Sequence, residues 1–155
     1  MANTGKAHRS EETEPLLGAL LRMPYQAMMA ETVEPALDAA GYGNIRSAHL
    51  PVMQALAQNP AGLRATELAT YARITKQSMG YLVNHLSEAG YVERVPDPTD
   101  QRAKVVRLTP RGGTAIQTIR SAVRDVEADW ARRIGSAQVE HLRTILRDLV
   151  ASLNG

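Results

Sequence analysis

A chain of 155 residues, 44% of them hydrophobic, can form one compact core and falls in the usual single-domain range. It contains no cysteine, which excludes disulfides, thiolate metal sites and a thiol redox switch, and with no Phe and one Trp its core must be mainly aliphatic. The net charge of +2 says little about partners, but its distribution says more.

Up to Ile45 the acids Glu11, Glu12, Glu14, Glu31, Glu34 and Asp38 outnumber Lys6, Arg9 and Arg22. From Arg64 to Arg111 the bases Arg64, Arg73, Lys76, Arg94, Arg102, Lys104, Arg107 and Arg111 outnumber Glu67, Glu88, Glu93, Asp97 and Asp100. A basic middle segment is either a solvated face or a surface turned toward a polyanion.

Residues 1–13 read as a disordered tail, and their polar run carries no apolar stretch of the secretory type. No other segment approaches the roughly 20 apolar residues of a membrane span, so a cytoplasmic protein is expected. Leu16, Leu17, Leu20, Leu21, Met23 and Met28 then recur at helical spacing. Pro24 and Pro35 should kink or split that first helix, which the run Gly41-Tyr42-Gly43-Asn44 ends.

A second helix is expected from Ser47, as N-cap, to the break at Asn59-Pro60-Ala61-Gly62. Two helical stretches follow, Thr66 to Ala72 and Thr75 to Ala89, separated by Arg73-Ile74, which is helix-turn-helix spacing. In the second, Met79, Leu82, Val83 and Leu86 form the inward stripe, and Gly90 is the stop. Two β-like segments, Tyr91 to Pro96 and Ala103 to Thr109, flank a turn-forming connector over 97–102, predicting a hairpin with a long charged tip.

Thr109 as N-cap and Pro110 at the first helical position start the next helix. Ile116, Ile119, Val123, Val126, Trp130 and Ile134 repeat by three and four, and after Gly135-Ser136 so do Val139, Leu142, Ile145, Leu146, Leu149, Val150 and Leu153. The two helices can cover part of these stripes by packing on each other; the remainder marks an interface between copies.

The run DPTDQRAKVVRLTPRG, with Asp100, Arg102, Val106, Leu108, Thr109 and Gly112, is similar to the wing of the MarR family of bacterial regulators. From Thr66 onward the resemblance covers both helices and the whole wing, and with a looser match over 14–58 it spans about nine-tenths of the chain. It departs at Arg73, where many members carry glycine, and at Gln101, where a second arginine is frequent. The resemblance implies a mainly α fold with a small β-hairpin wing (α+β), in which a winged helix-turn-helix joins a helical dimerisation region. On this reading residues 14–155 are one unit, with dimerisation helices over 14–45 and 110–155 and the DNA-binding region over 46–109.

The 100° step of a helix puts Gln77, Tyr81 and Asn84 opposite the apolar stripe, flanked by Lys76, Ser78 and Gly80, with Thr75 at the helix start. Gln and Asn can donate and accept together at adenine, while Lys and Ser can reach phosphates or guanine. Arg102 at the hairpin tip would enter a minor groove, with Asp100 orienting its guanidinium, roles the resemblance implies for both; Lys104, Arg94 and Arg107 are more generic, facing either phosphates or only solvent.

The function expected is that of a homodimeric repressor of a pseudo-palindromic operator in double-stranded DNA, released by a small aromatic or amphipathic effector. The alternative is a winged-helix module that binds acidic proteins without specific DNA recognition. The effector pocket is a family implication, with Met23, Met28, His49, Met53 and Trp130 as candidate lining. No enzyme is expected, because His8, His49, His85 and His141 lack metal-ligand spacing, and neither a nucleophile elbow nor a phosphate-binding glycine loop occurs. No cofactor is expected either.

Overall fold

The computed structural model describes residues 14–153, so the tail expected over 1–13 lies outside the described residues. Helix α1 (Leu17–Met28) runs through Pro24 into a π-helical turn, Met29–Val33, and on into α2 (Glu34–Ala39). The expected break thus falls between the two prolines, as a widened turn. In a continuous α-helix Pro35 would owe a hydrogen bond to Glu31 that it cannot make, and in the π turn Glu34 bonds back to Met29 instead. Met29, Val33 and Leu37 are buried along this edge.

Gly41, at φ 82°, closes α2: Tyr42 N–H bonds to the Leu37 carbonyl and Gly41 N–H to that of Asp38, a Schellman arrangement. Ser47 is not the N-cap expected of it. It opens a short 3-10 turn, Ser47–His49, capped by His49, whose Nδ1 accepts the Arg46 N–H at 2.9 Å, before α3 (Leu50–Gln58) begins.

Helices α4 (Ala65–Ala72) and α5 (Lys76–Glu88) form the helix-turn-helix. The turn is set by Arg73 in the left-handed region (φ 55°, ψ 42°), where a side chain costs roughly 1–2 kcal/mol relative to glycine. Its N–H bonds to Thr70 and that of Ile74 to Ala69, so the Schellman closure forms here on arginine. In α5 Met79, Val83 and Leu86 are buried and Leu82 is half-buried.

Strands β1 (Val92–Asp97) and β2 (Asp100–Leu108) pair antiparallel from Val92 opposite Leu108 to Pro96 opposite Lys104. Leu63 adds a one-residue third rung by exchanging two backbone hydrogen bonds with Val106, at 2.9 and 2.8 Å. Sequence periodicity cannot detect a strand of one residue.

Helix α6 (Pro110–Ile134) starts as expected: Thr109 Oγ1 accepts the Gly112 N–H at 3.1 Å and donates to the Gly90 carbonyl at 2.6 Å. Gly135, at φ 95°, separates it from α7 (Ser136–Leu153). Met29, Leu37, Met53, Leu56, Leu68, Met79, Leu86, Tyr91, Val106 and Ile116 belong to a single core cluster, so the helix-turn-helix and the flanking helices share one interior.

Candidate nucleic-acid interface

Helix α5 is held from beneath by its buried stripe, which leaves Thr75, Lys76, Gln77, Ser78, Tyr81 and Asn84 exposed together. Tyr81 is 67% exposed, an unusual placement for an aromatic that no packing demand explains. Thr75 and Ser78 are partly engaged already: Thr75 Oγ1 accepts the Ser78 N–H at 3.1 Å and lies 2.9 Å from the Ser78 hydroxyl, which caps the helix start. Gln77 and Lys76 have no side-chain partner among the described residues, whereas Asn84 Oδ1 accepts from Arg94 Nη2 of β1 at 2.6 Å.

The wing differs from the expected long tip. Asp97 pairs with Asp100 around a two-residue turn, Pro98-Thr99, and the register between Pro96 and Asp97 shifts, leaving Gln101, Arg102 and Ala103 as a bulge on β2. Asp97 causes this early closure. Its Oδ1 accepts both the backbone N–H and the hydroxyl of Thr99 at 2.8 Å, while Oδ2 takes Arg64 Nε and Nη2 at 2.7 Å. Arg102 therefore sits on an exposed bulge beyond the tip. Asp100 supports it through the backbone, Oδ1 accepting the Arg102 N–H at 3.0 Å, and not through the guanidinium. The other carboxylate oxygen faces Arg64 Nη2 at 4.0 Å, which explains the difference.

Neither Arg64 nor Asp97 was anticipated as a wing anchor. Asp97 could have been found from the Asp-Pro-Thr order, which favours a side-chain-closed turn; Arg64, distant in sequence, leaves no local signal. Asp97 is only 6% exposed, and its two Thr99 hydrogen bonds, then Arg64, hold its carboxyl down to about 2. Because the folded value lies below the ordinary 3.8, the anchor stabilises the wing fully above that value and fades as pH falls toward 2. In an acid titration followed by NMR, the Thr99 amide should shift with a midpoint near 2. Asp97→Asn should abolish that transition and lower the denaturant midpoint at pH 7; a Thr99 midpoint near the ordinary carboxylate value would refute the anchor.

Several bases of the middle segment are occupied internally. Arg107 pairs with Glu93 at 2.7 Å, and Arg111 lies 5.2 and 4.9 Å from the ring centres of Tyr42 and Tyr91. Lys76, Arg94, Arg102 and Lys104 have no carboxylate partner among the described residues and carry positive charge on this face, Arg94 while donating to the neutral amide of Asn84.

Residues 44–103 match the model of the MarR family. A regulatory protein for the hcr operon of Thauera aromatica is 33% identical over 98 residues, 63% of this chain and 58% of that protein. The HTH-type transcriptional repressor Rv2887 of Mycobacterium tuberculosis is 30% identical over 97 residues, 63% of this chain and 69% of the repressor. The chain belongs to the MarR family.

The fold agrees over a longer span. The crystal structure of apo MarR from E. coli superposes with a TM-score of 0.68 at 22% identity, covering 87% of this chain and 97% of that one. Rv2887 in complex with salicylic acid gives 0.65 at 28% identity, covering 88% and 98%. MarR-family proteins are transcriptional regulators. Among the described residues of this member no helix is long and apolar enough to cross a membrane.

Away from the exposed face of α5, this MarR-family chain holds a cavity of about 600 Å³, whose walls include Tyr25, Met28, Gln54, Tyr71, Arg120 and Arg124. Of the five residues expected to line an effector pocket, Met28 alone lies here. Trp130 meets Met28 in a separate cleft of about 400 Å³. Met53 is fully buried in the core, and Met23, 57% exposed, is on the outer face of α1. His49 is stacked on His85, with ring centres 4.7 Å apart, and burial followed by the His85 charge lowers its pKa. The resemblance implies a pocket without fixing which side chains face it, and the five lie in different surroundings.

Proposed function

We propose that this chain is a homodimeric, sequence-specific DNA-binding repressor that recognises a pseudo-palindromic operator, with α5 in the major groove and the Arg102 bulge in the flanking minor groove. The observation that carries the reading is the joint exposure of Lys76, Gln77 and Tyr81 on a helix rigidly packed beside a wing whose Arg102 and Lys104 are uncommitted. Residues 46–109 act as the DNA-binding region, and 14–45 with 110–155 as the dimerisation helices. The partners are double-stranded DNA and a second copy, in a non-enzymatic cytoplasmic protein that needs no cofactor. Footprinting of the purified protein on genomic fragments should reveal a protected two-fold element whose occupancy falls steeply with salt. Uniform, sequence-independent protection would defeat the proposal.

The dimer is supported by Leu17, Leu20 and Leu21 on α1 and Leu142, Ile145, Leu149 and Leu153 on α7, all exposed at helical spacing. Apolar stripes of that kind are costly in water unless covered. Light scattering at micromolar concentration should give twice the 16.9 kDa of one chain. A mass of one chain would leave no basis for palindromic recognition.

Effector release is supported by the cavity between α1, α3, α4 and α6, whose largely apolar lining also carries Arg120, Arg124 and Glu127, the last already paired with Arg143 at 3.0 Å. A small aromatic acid suits that combination, and Rv2887 has been crystallised with salicylic acid. Such a ligand should release this chain from its operator, with Arg124→Ala blunting the response. Binding that is indifferent to aromatic acids would remove the effector from the proposal.

A further inference from the structure

We infer that Arg94 is a specificity-determining residue, which turns Asn84 from a reader of adenine into part of a reader of guanine. This rests on the DNA-binding reading above. An Asn side chain reads adenine by accepting from N6 while donating to N7. Here Arg94 Nη2 lies 2.6 Å from Asn84 Oδ1. A guanidinium has donors only, so the amide must turn its oxygen to Arg94 and its NH2 away.

The oxygen keeps a second lone pair, but it now sits beside a full positive charge. The amino group of adenine would bring hydrogens of partial positive charge to that place, whereas O6 of guanine brings negative charge. Asn84 NH2 and the remaining N–H groups of Arg94 together form a donor array, which matches the paired acceptors N7 and O6 of guanine. Both side chains are exposed, one on α5 and one on β1, so the array lies at the junction of recognition helix and wing. Arg107, by contrast, is held by Glu93 and takes no part.

The test is selection of binding sites from a randomised double-stranded DNA pool by the full-length parent, Asn84→Ala and Arg94→Met. Melting temperatures of the variants guard against loss of fold. The base pair whose preference is lost in Asn84→Ala marks where this side chain points, and there the parent should select G·C. Arg94→Met keeps the stem but frees the amide oxygen, and should shift selection at that pair toward A·T by about tenfold. A parent preference for A·T at that pair, an unchanged preference in Arg94→Met, or an Asn84→Ala variant that selects like the parent would each overturn the inference. A parent that enriches no sequence at all would instead defeat the DNA-reading proposal on which it stands.

Discussion

Gly112→Ala should lower the unfolding free energy by about 2 kcal/mol, while the same change one residue later should raise it. A Cβ at Gly112 would overlap the Tyr91 carbonyl and press on Leu108, whereas one at Gly113 meets nothing within 4 Å. The carbonyl cannot withdraw, because it accepts the Thr109 N–H at 3.0 Å and belongs to a residue with no exposed surface. Overpacking against fixed atoms costs about 1–3 kcal/mol, occasionally more, and exceeds the roughly 1 kcal/mol that alanine contributes to a helix over glycine. At Gly113 only that helical gain remains. Thermal unfolding should therefore show Gly112→Ala melting several degrees below the parent and Gly113→Ala at or above it, at about 2–4 °C per kcal/mol. Equal effects at the two positions would mean that α6 does not start against Tyr91.

That contact also separates what the sequence discloses from what it withholds. The Thr109-Pro110 start of α6 and the buried Met79, Val83 and Leu86 follow from local chemistry and period, and both were legible. The place where the hairpin turns was not, because a connector full of turn formers permits several closures and the choice is made by Asp97 reaching Thr99 and Arg64. The exposed face of α5 was legible as a set of residues, since exposure follows from period alone. Its chemistry was not: the Asn84–Arg94 bond depends on how β1 returns beside α5, a tertiary fact without a trace at either position. Residue type alone did not place the pocket candidates: His49 lies in a histidine stack and Met53 in the core.

Arg102→Ala should flatten the salt dependence of operator binding and remove any preference for A·T pairs at the outer flanks. On the proposed mode of binding, the two α5 helices of a dimer enter major grooves one turn apart, roughly 34–36 Å, which carries the wings over the adjoining minor grooves. The bulge on β2 projects Arg102 from the strand, Asp100 fixes its backbone at 3.0 Å, and the Arg64–Asp97 bridge at 2.7 Å ties the turn to the start of α4. The cation is thus presented from a braced support, which lowers the entropy lost on docking. Each cation that displaces counterions adds about 0.9 to the slope of log affinity against log salt, so loss of one per wing should reduce the slope by near 2 per dimer. Narrow A·T tracts concentrate negative potential, so preference at the flanks should fade while selection beneath α5 persists. Asp100→Ala removes the backbone brace and leaves the charge, so its salt slope should stay close to the parent while affinity falls modestly. An Arg102→Ala protein with parental affinity and parental salt slope would place the wing off the DNA and leave α5 as the sole reader.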